Sequence, residues 1–204
     1  MKLPREFYCR NDVVQVSRDL LGKVLCSRVN GRVTKAIITE TEAYAGAEDR
    51  ASHAYGGRRT NRTEPMYGQG GKAYVYLCYG IHHLFNVVVG DVDRPLATLI
   101  RAGEAMAGID VMLQRRGKRQ AGPSLLAGPG CISQALGITT ELSGVSLLDG
   151  RVWIEDQEIS VRTEDVVVGP RVGIDYAGKD ATLPYRFRII DRPALTSGSA
   201  RLAR

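Results

Sequence analysis

Cysteine is scarce in this 204-residue chain: Cys9, Cys26, Cys78 and Cys131 stand far apart, with no C-x-x-C pair. Structural zinc sites draw on closely spaced ligand pairs, so none is expected, and the thiols read as free and mostly buried in a reducing compartment. Only three histidines are present, without H-x-x-x-H or H-E-x-x-H spacing, so a metal role has no ligand set. There is no G-x-G-x-x-G or phosphate-loop pattern to support nucleotide-cofactor chemistry. No apolar run approaches the roughly 20 residues that span a bilayer. "MKLPREFYCRND" lacks the apolar stretch of a signal peptide, so a cytoplasmic protein with no membrane partner is expected. Internal repeats and linker-like shifts are also missing. The length suits one domain, taken as residues 1–192, with "TSGSARLAR" inside a flexible basic tail at 193–204.

What the chain does have is positive charge and tyrosine. The net charge of +6 favours a polyanionic partner without proving one. Its distribution says more: Arg50, Arg58, Arg59, Arg62 and Lys72 fall in a glycine-rich stretch whose one internal acid is Glu64. "RRGKR" at 115–119 is a second basic cluster, which a solvated loop explains as well as a phosphate contact does.

"DVVQVSRDLLGK" predicts a helix capped by Asp12, with Val13, Val16 and Leu20 on one face. "KVLCSRV" and "RVTKAIITETEAY" predict strands joined at Asn30-Gly31, a dipeptide suited to a type I′ hairpin. Residues 46–72 read as a long surface loop, a class more often functional than decorative. "AYVYLCYG" and "HHLFNVVV" form a second hairpin turning near Gly80, and "RPLATLIRAG" a further strand. "EAMAGIDVMLQRR" predicts a helix with Ala105, Ile109, Met112 and Leu113 on one face. A shorter helix opens in "AGPGCISQALGI", and "RVWIED", "EISVRTEDVVVG" and "YRFRIID" complete the sheet. The fold class is α+β, a single domain, mostly antiparallel.

Strand parity puts Glu40, Glu42 and Tyr44 on one side. Glu42, between Tyr44 and the apolar "AII" run, would be partly desolvated and hence more basic, which suits activation of water; a solvent-facing strand edge is the plainer alternative. On the second hairpin Tyr74 and Tyr76 share a face, while Tyr79 points away and lies next to the turn. Such a division of rings suits an enzyme that extrudes a base from a duplex. Extrusion costs a few kcal/mol, and stacking returns about 1–3 kcal/mol per aromatic contact. Good β-forming residues in a half-buried strand would give the same pattern.

"ETEAY" (40–44), "EDRASHAYGGR" (48–58), "YVYLCYG" with "NVVV" (74–89), "LIRAGE" (99–104), "AGPGCISQALGI" (127–138) and "YRFRIID" (185–191) resemble, in order and spacing, the motifs of the alkyladenine (3-methyladenine) DNA glycosylase family. The resemblance runs from about Phe7 to Asp191. It implies a curved antiparallel sheet with flanking helices, like the C-terminal domain of formyltransferases, and a protruding β-hairpin that inserts into DNA. It also implies a monofunctional, cofactor-free, monomeric repair enzyme acting on double-stranded DNA. That enzyme would excise 3-methyladenine, 7-methylguanine, hypoxanthine and ethenoadenine and leave an abasic site.

By the same resemblance Glu42 is the general base and Arg101 sits near the water and the DNA backbone. Tyr44, His53 and Tyr76 enclose the flipped base, Asn86 lies on the pocket floor, and Tyr79 is the wedge. Arg58, Arg59, Arg62 and Lys72 are candidate backbone contacts. The chain departs from the family pattern at Lys72, "TNR" (60–62), His83–Phe85 and Cys131. A non-catalytic nucleic-acid-binding protein on the same scaffold, or a glycosidase acting on small substrates, are the rival readings.

Overall fold

The Asp12 carboxylate accepts a bond from the Gln15 N–H at 2.9 Å and starts a helix where the sequence places one. The computed structural model describes residues 1–190; the predicted tail, and the predicted domain limit at 192, lie outside them. A single turn, α1 (Arg5–Tyr8), precedes that helix, α2 (Val13–Asp19). Strands β1 (Val24–Val29) and β2 (Arg32–Tyr44) follow, and both turn residues between them take positive φ, Asn30 at 52° and Gly31 at 73°. This is the type I′ geometry that matches strand twist.

The 46–72 segment contains three short 3-10 turns, Gly46–Glu48, Tyr55–Gly57 and Glu64–Tyr67. The second hairpin is β3 (Ala73–Cys78) and β4 (His82–Val89), followed by β5 (Leu96–Ala107), α3 (Ile109–Arg116) and α4 (Pro129–Leu136). Strands β6 (Val152–Glu155), β7 (Val166–Gly169) and β8 (Arg186–Ile189) complete one antiparallel sheet. Its order is β3-β4-β5-β2-β1-β6, with β8 also against β2 and β7 against β8. The sheet with its flanking helices bears out the α+β expectation.

Two expectations need correction. The helix predicted from Glu104 begins at Ile109, because Glu104, Ala105 and Ala107 pair with Ile37, Ala36 and Lys35 and prolong β5. Gly108 then turns the chain at φ 71°, and a Cβ there would lie 2.5 Å from the Val33 carbonyl oxygen. Of the predicted apolar face, Met112 is buried and Ile109 is exposed. The strand expected over "EISVRTEDVVVG" shrinks to β7, with Glu158 at φ 58° and a 3-10 turn at Thr163–Asp165 breaking its first half. Of the four cysteines, all free, Cys26 alone is fully buried.

Period-two alternation sorts the sheet into two faces. Ala73, Val75, Phe85, Val87 and Ile100 turn towards α2 and α4, packing with Val16, Leu20, Ile132 and Leu136 as the main core. Hydroxyl contacts pin α2 down: Ser17 Oγ meets Thr98 Oγ1 at 2.8 Å, and Thr41 Oγ1 donates to the Ser17 carbonyl at 2.7 Å. Tyr74, Tyr76, Val88 and Ala97 face the other way and meet Ala54, Met66 and Tyr67 from the long loop. Helices cover one face; loops roof the other.

Candidate functional site

Strand β2 bends where it carries its carboxylates. Its pairing with β5 runs Ile38–Gly103, Glu40–Ala102 and Thr41–Ile100, so Thr39 and then Arg101 are left without a partner in register. Such bulges re-aim side chains. Here the Arg101 guanidinium turns onto two acids: Nε donates to Glu40 Oε1 at 2.9 Å, and Nη1 lies 3.3 Å from Glu42 Oε2. Arg186, on β8 opposite Glu42, donates to the same Glu40 oxygen at 2.7 Å.

Glu42 is 0% exposed. Its Oε1 accepts the Val172 N–H at 2.8 Å, and its Oε2 accepts the Tyr44 hydroxyl at 2.9 Å. Burial raises its pKa above the ordinary glutamate value; Arg101, the Val172 N–H and Tyr44 oppose that shift without cancelling it. The carboxylate does not itself line the neighbouring cavity, but Tyr44, Arg101 and Val172, which hold it, all do.

That cavity measures about 450 Å³ and is bordered by Tyr44, His53, Tyr74, Tyr76, Asn86 and Arg101. The sequence-predicted pocket residues therefore converge on one space. His53 Nδ1 lies 2.8 Å from the Tyr74 hydroxyl, and its ring meets Tyr76 edge-on at 4.5 Å between centroids. Burial, then Arg62 and Arg58, lower the His53 pKa to about 4, so the imidazole is neutral at physiological pH. Asn86 is buried, and its Nδ2 donates to the Tyr74 and Leu84 carbonyls at 3.1 and 3.3 Å.

Tyr79 stands at the mouth, 91% exposed with φ 51°. The expectation that Tyr76 and Tyr79 face apart rested on strand parity. Strand β3 ends at Cys78, so parity does not govern Tyr79, and both rings border the cavity.

The basic candidates separate. Arg58 borders an adjoining recess, and Arg62 borders both that recess and the cavity, with its guanidinium 5.2 Å from the Tyr76 ring centroid. Arg59 is bound twice to Glu64 and once to Asp93, at 2.6–2.8 Å, and lies over Tyr67; its charge is matched within the protein. Lys72 is part-buried and packs against Gly68, away from the cavity lining. Arg59 and Lys72 thus do not border the cavity.

The structure adds residues that sequence reasoning missed. Arg171 is buried in the 170–184 loop, where its Nη2 donates to Asp49 Oδ1 at 2.8 Å and its Nη1 to Asp49 Oδ2 and to the Ala43 carbonyl. Its guanidinium stacks 4.8 Å from the Tyr44 centroid and 5.3 Å from that of Tyr185. Asp49 also accepts the Ala45 and Ala51 N–H groups, shaping the loop that leads to His53. One ion pair thus fixes Tyr44, the His53 loop and the loop presenting Val172. Tyr176, 71% exposed, is a second ring at the cavity mouth. Nothing local in "GPRVGIDY" signals these roles, because their partners lie more than a hundred residues away.

Among the described residues no cluster of histidine, cysteine and acids is fit to hold a metal ion, and no helix is long and apolar enough to cross a membrane. The methylpurine-DNA glycosylase family model matches residues 6–193. Relatives that carry the name "Putative 3-methyladenine DNA glycosylase" include those of three bacteria. That of Chlamydia felis is 45% identical over 186 residues, covering 91% of this chain and 94% of its own. That of Natranaerobius thermophilus is 43% identical over 194 residues, covering 95% and 98%. That of Bacillus cereus is 44% identical over 196 residues, covering 92% and 95%.

Proposed function

The chain belongs to the methylpurine-DNA glycosylase family, and from that premise we propose that it flips damaged purines out of duplex DNA and hydrolyses their N-glycosidic bond with a water activated by Glu42. The substrates of this reading are 3-methyladenine, 7-methylguanine, hypoxanthine and ethenoadenine. The product is an abasic site with the strand uncut, and the enzyme acts as a monomer without cofactor.

The observation that carries the reading is the buried Glu42 carboxylate, made more basic by burial and held by three residues that line an aromatic cavity. Glu42 Oε1 accepts one bond and keeps a lone pair for a water hydrogen. The water attacks C1′ as the base departs. Carboxylate charge steadies the oxocarbenium character of the sugar, as in glycoside hydrolysis. Arg101, bonded to both Glu40 and Glu42, keeps the carboxylate ionised more of the time.

Tyr44 and Tyr76 stack on the flipped purine, and their faces attract a ring that alkylation has made cationic. A neutral His53 adds no repulsion to such a ring. The His53 Nδ1 is paired with the Tyr74 hydroxyl, and in the tautomer in which Tyr74 donates, Nε2 carries the hydrogen and is a donor to the base. Asn86, tied to two carbonyls, cannot retreat from the 2-amino group of normal guanine. Tyr79 enters the vacated stack, offsetting part of the few kcal/mol that flipping costs.

The complete enclosure of Glu42 is the one observation that favours the rival, a binding protein without catalysis. Incubation with duplexes bearing single defined lesions decides between them. Free purine release by the wild type, abolished in Glu42→Gln with binding to the damaged duplex retained, supports the enzyme. Binding without release supports the rival.

A further inference from the structure

Beside the base cavity lies a separate recess of about 310 Å³, bordered by Arg50, Arg58 and Arg62 and by the hydroxyl residues Ser52, Thr60 and Thr63. Among the described residues no carboxylate borders it, and none of the three arginines forms an ion pair with an acid. Arg59, in the middle of the same sequence stretch, takes both Glu64 and Asp93. The acids of this stretch are thus spent on Arg59, while Arg50, Arg58 and Arg62 border a recess and pair with no acid among the described residues; the Asp180 carboxylate beside Arg50 accepts that residue's backbone N–H at 3.0 Å. Guanidinium forks and hydroxyl donors around an unfilled recess suit a phosphate group, which accepts paired hydrogen bonds from arginine.

The recess and the base cavity share Ser52, His53, Arg62 and Tyr176. The field of the recess reaches the cavity, since Arg62 and Arg58 both contribute to holding His53 neutral. Arg62 is the one arginine common to both spaces, and its guanidinium lies 5.2 Å from the centroid of Tyr76, a ring of the cavity that the glycosylase reading assigns to stacking on the purine. A guanidinium and a base cannot stack in the same place, and a cationic base is repelled as well.

We propose that the Arg50–Arg58–Arg62 recess is a phosphodiester-binding site for the backbone beside the flipped nucleotide, and that its occupant draws Arg62 off Tyr76 and so clears the base cavity. A charge-assisted bidentate contact to phosphate is stronger than the cation–π contact on Tyr76 and the single hydrogen bond to the Tyr74 hydroxyl that hold Arg62, which gives the exchange its direction. In DNA-free protein Arg62 is then a placeholder; on damaged DNA it becomes a backbone clamp. This rests on the glycosylase reading but goes beyond it, because it ties base admission to backbone contact at named positions.

The test has two arms. In the first, affinity for a hypoxanthine-containing duplex is measured against salt for the wild type, Arg50→Ala and Arg58→Ala. Each variant is expected to bind on the order of tenfold more weakly and to lower the slope of log K against log salt by about one. Unchanged affinity and slope in both overturn the site. In the second arm, free hypoxanthine is titrated into DNA-free protein. Arg62→Ala is expected to bind the free base several-fold more tightly than the wild type, with Arg62→Lys, which stacks less well on the ring, in between. Equal or weaker binding by Arg62→Ala overturns the placeholder role. These side chains are exposed, and matching melting temperatures exclude misfolding as a cause. Release of hypoxanthine from the same duplex by the wild type separates the two ideas. Release with unaltered variants sinks only the recess, whereas no release sinks the glycosylase reading itself.

Discussion

Glu42 combines two conditions that ordinarily oppose each other: it is wholly buried, and it has Arg101 at 3.3 Å. Burial dominates, so its pKa lies above the ordinary glutamate value. A base must be ionised to work. The acid limb of the single-turnover excision profile is therefore expected at a pH above the ordinary glutamate value. Arg101→Gln removes the largest opposing influence and should move that limb to still higher pH; a limb that stays put argues that another group titrates. The sign for stability is the reverse of a paired surface acid. A folded-state value above the unfolded one means that ionisation weakens the fold as pH rises through that window. Glu42→Gln should thus melt higher than the wild type at neutral pH, the gap closing below the unfolded glutamate value. Thermal melts across pH check it. The basicity of this residue was half legible in "ITETEAY": parity gave Glu40, Glu42 and Tyr44 a common side. The bulges that aim Arg101 at both acids have no sequence signal.

At the scale of elements, the β3–β4 hairpin and the 170–184 loop divide the labour. The hairpin tip holds a non-glycine residue, Tyr79, in left-handed backbone with its ring in solvent, a conformation that costs about 1–2 kcal/mol and does nothing for the core. Tyr79→Gly should therefore leave melting unchanged or slightly raised, while base extrusion, read by a fluorescent analogue beside the lesion, falls about tenfold or more. A loss of stability instead would mark the ring as structural. The 170–184 loop is held by Arg171 on Asp49, both buried. Asp49→Ala strands a buried guanidinium and should cost about 3–5 kcal/mol in urea unfolding. Hairpins were legible because Asn30-Gly31 and Tyr79-Gly80 announce their turns within a few residues. The Arg171 loop was not, since its fold depends on a partner 122 residues away. The helix misplaced at Glu104 has the same cause: tertiary pairing with β2 overrode a helix-compatible stretch.

For the whole molecule, the net charge of +6 conceals a division between cations used internally and cations left for a partner. Lys23 and Lys35 pair with Asp156 and Glu155, and Arg171 with Asp49. The "RRGKR" cluster, ambiguous as sequence, is partly absorbed into packing: Arg115 donates to the Ala135 carbonyl, and Arg116 to the Leu125 carbonyl and to Gln134. Composition cannot show this sorting, because it is decided by which loops the fold brings beside which acids. Counterion release gives log K against log salt a slope of about −0.9 per phosphate neutralised on duplex DNA, whatever the sequence bound. Binding to damaged duplex should accordingly weaken steeply with salt, and the slope should identify the free cations. Arg59→Ala removes a charge already held by Glu64 and Asp93 and should leave the slope unaltered. Arg115→Ala should lower the melting temperature through lost α3–α4 contact, again without a change of slope. Fluorescence anisotropy over a salt series reads all of these. A flat wild-type response would remove the electrostatic basis of DNA binding, and an Arg59→Ala slope shallower by one would mean that its ion pairs open on the duplex.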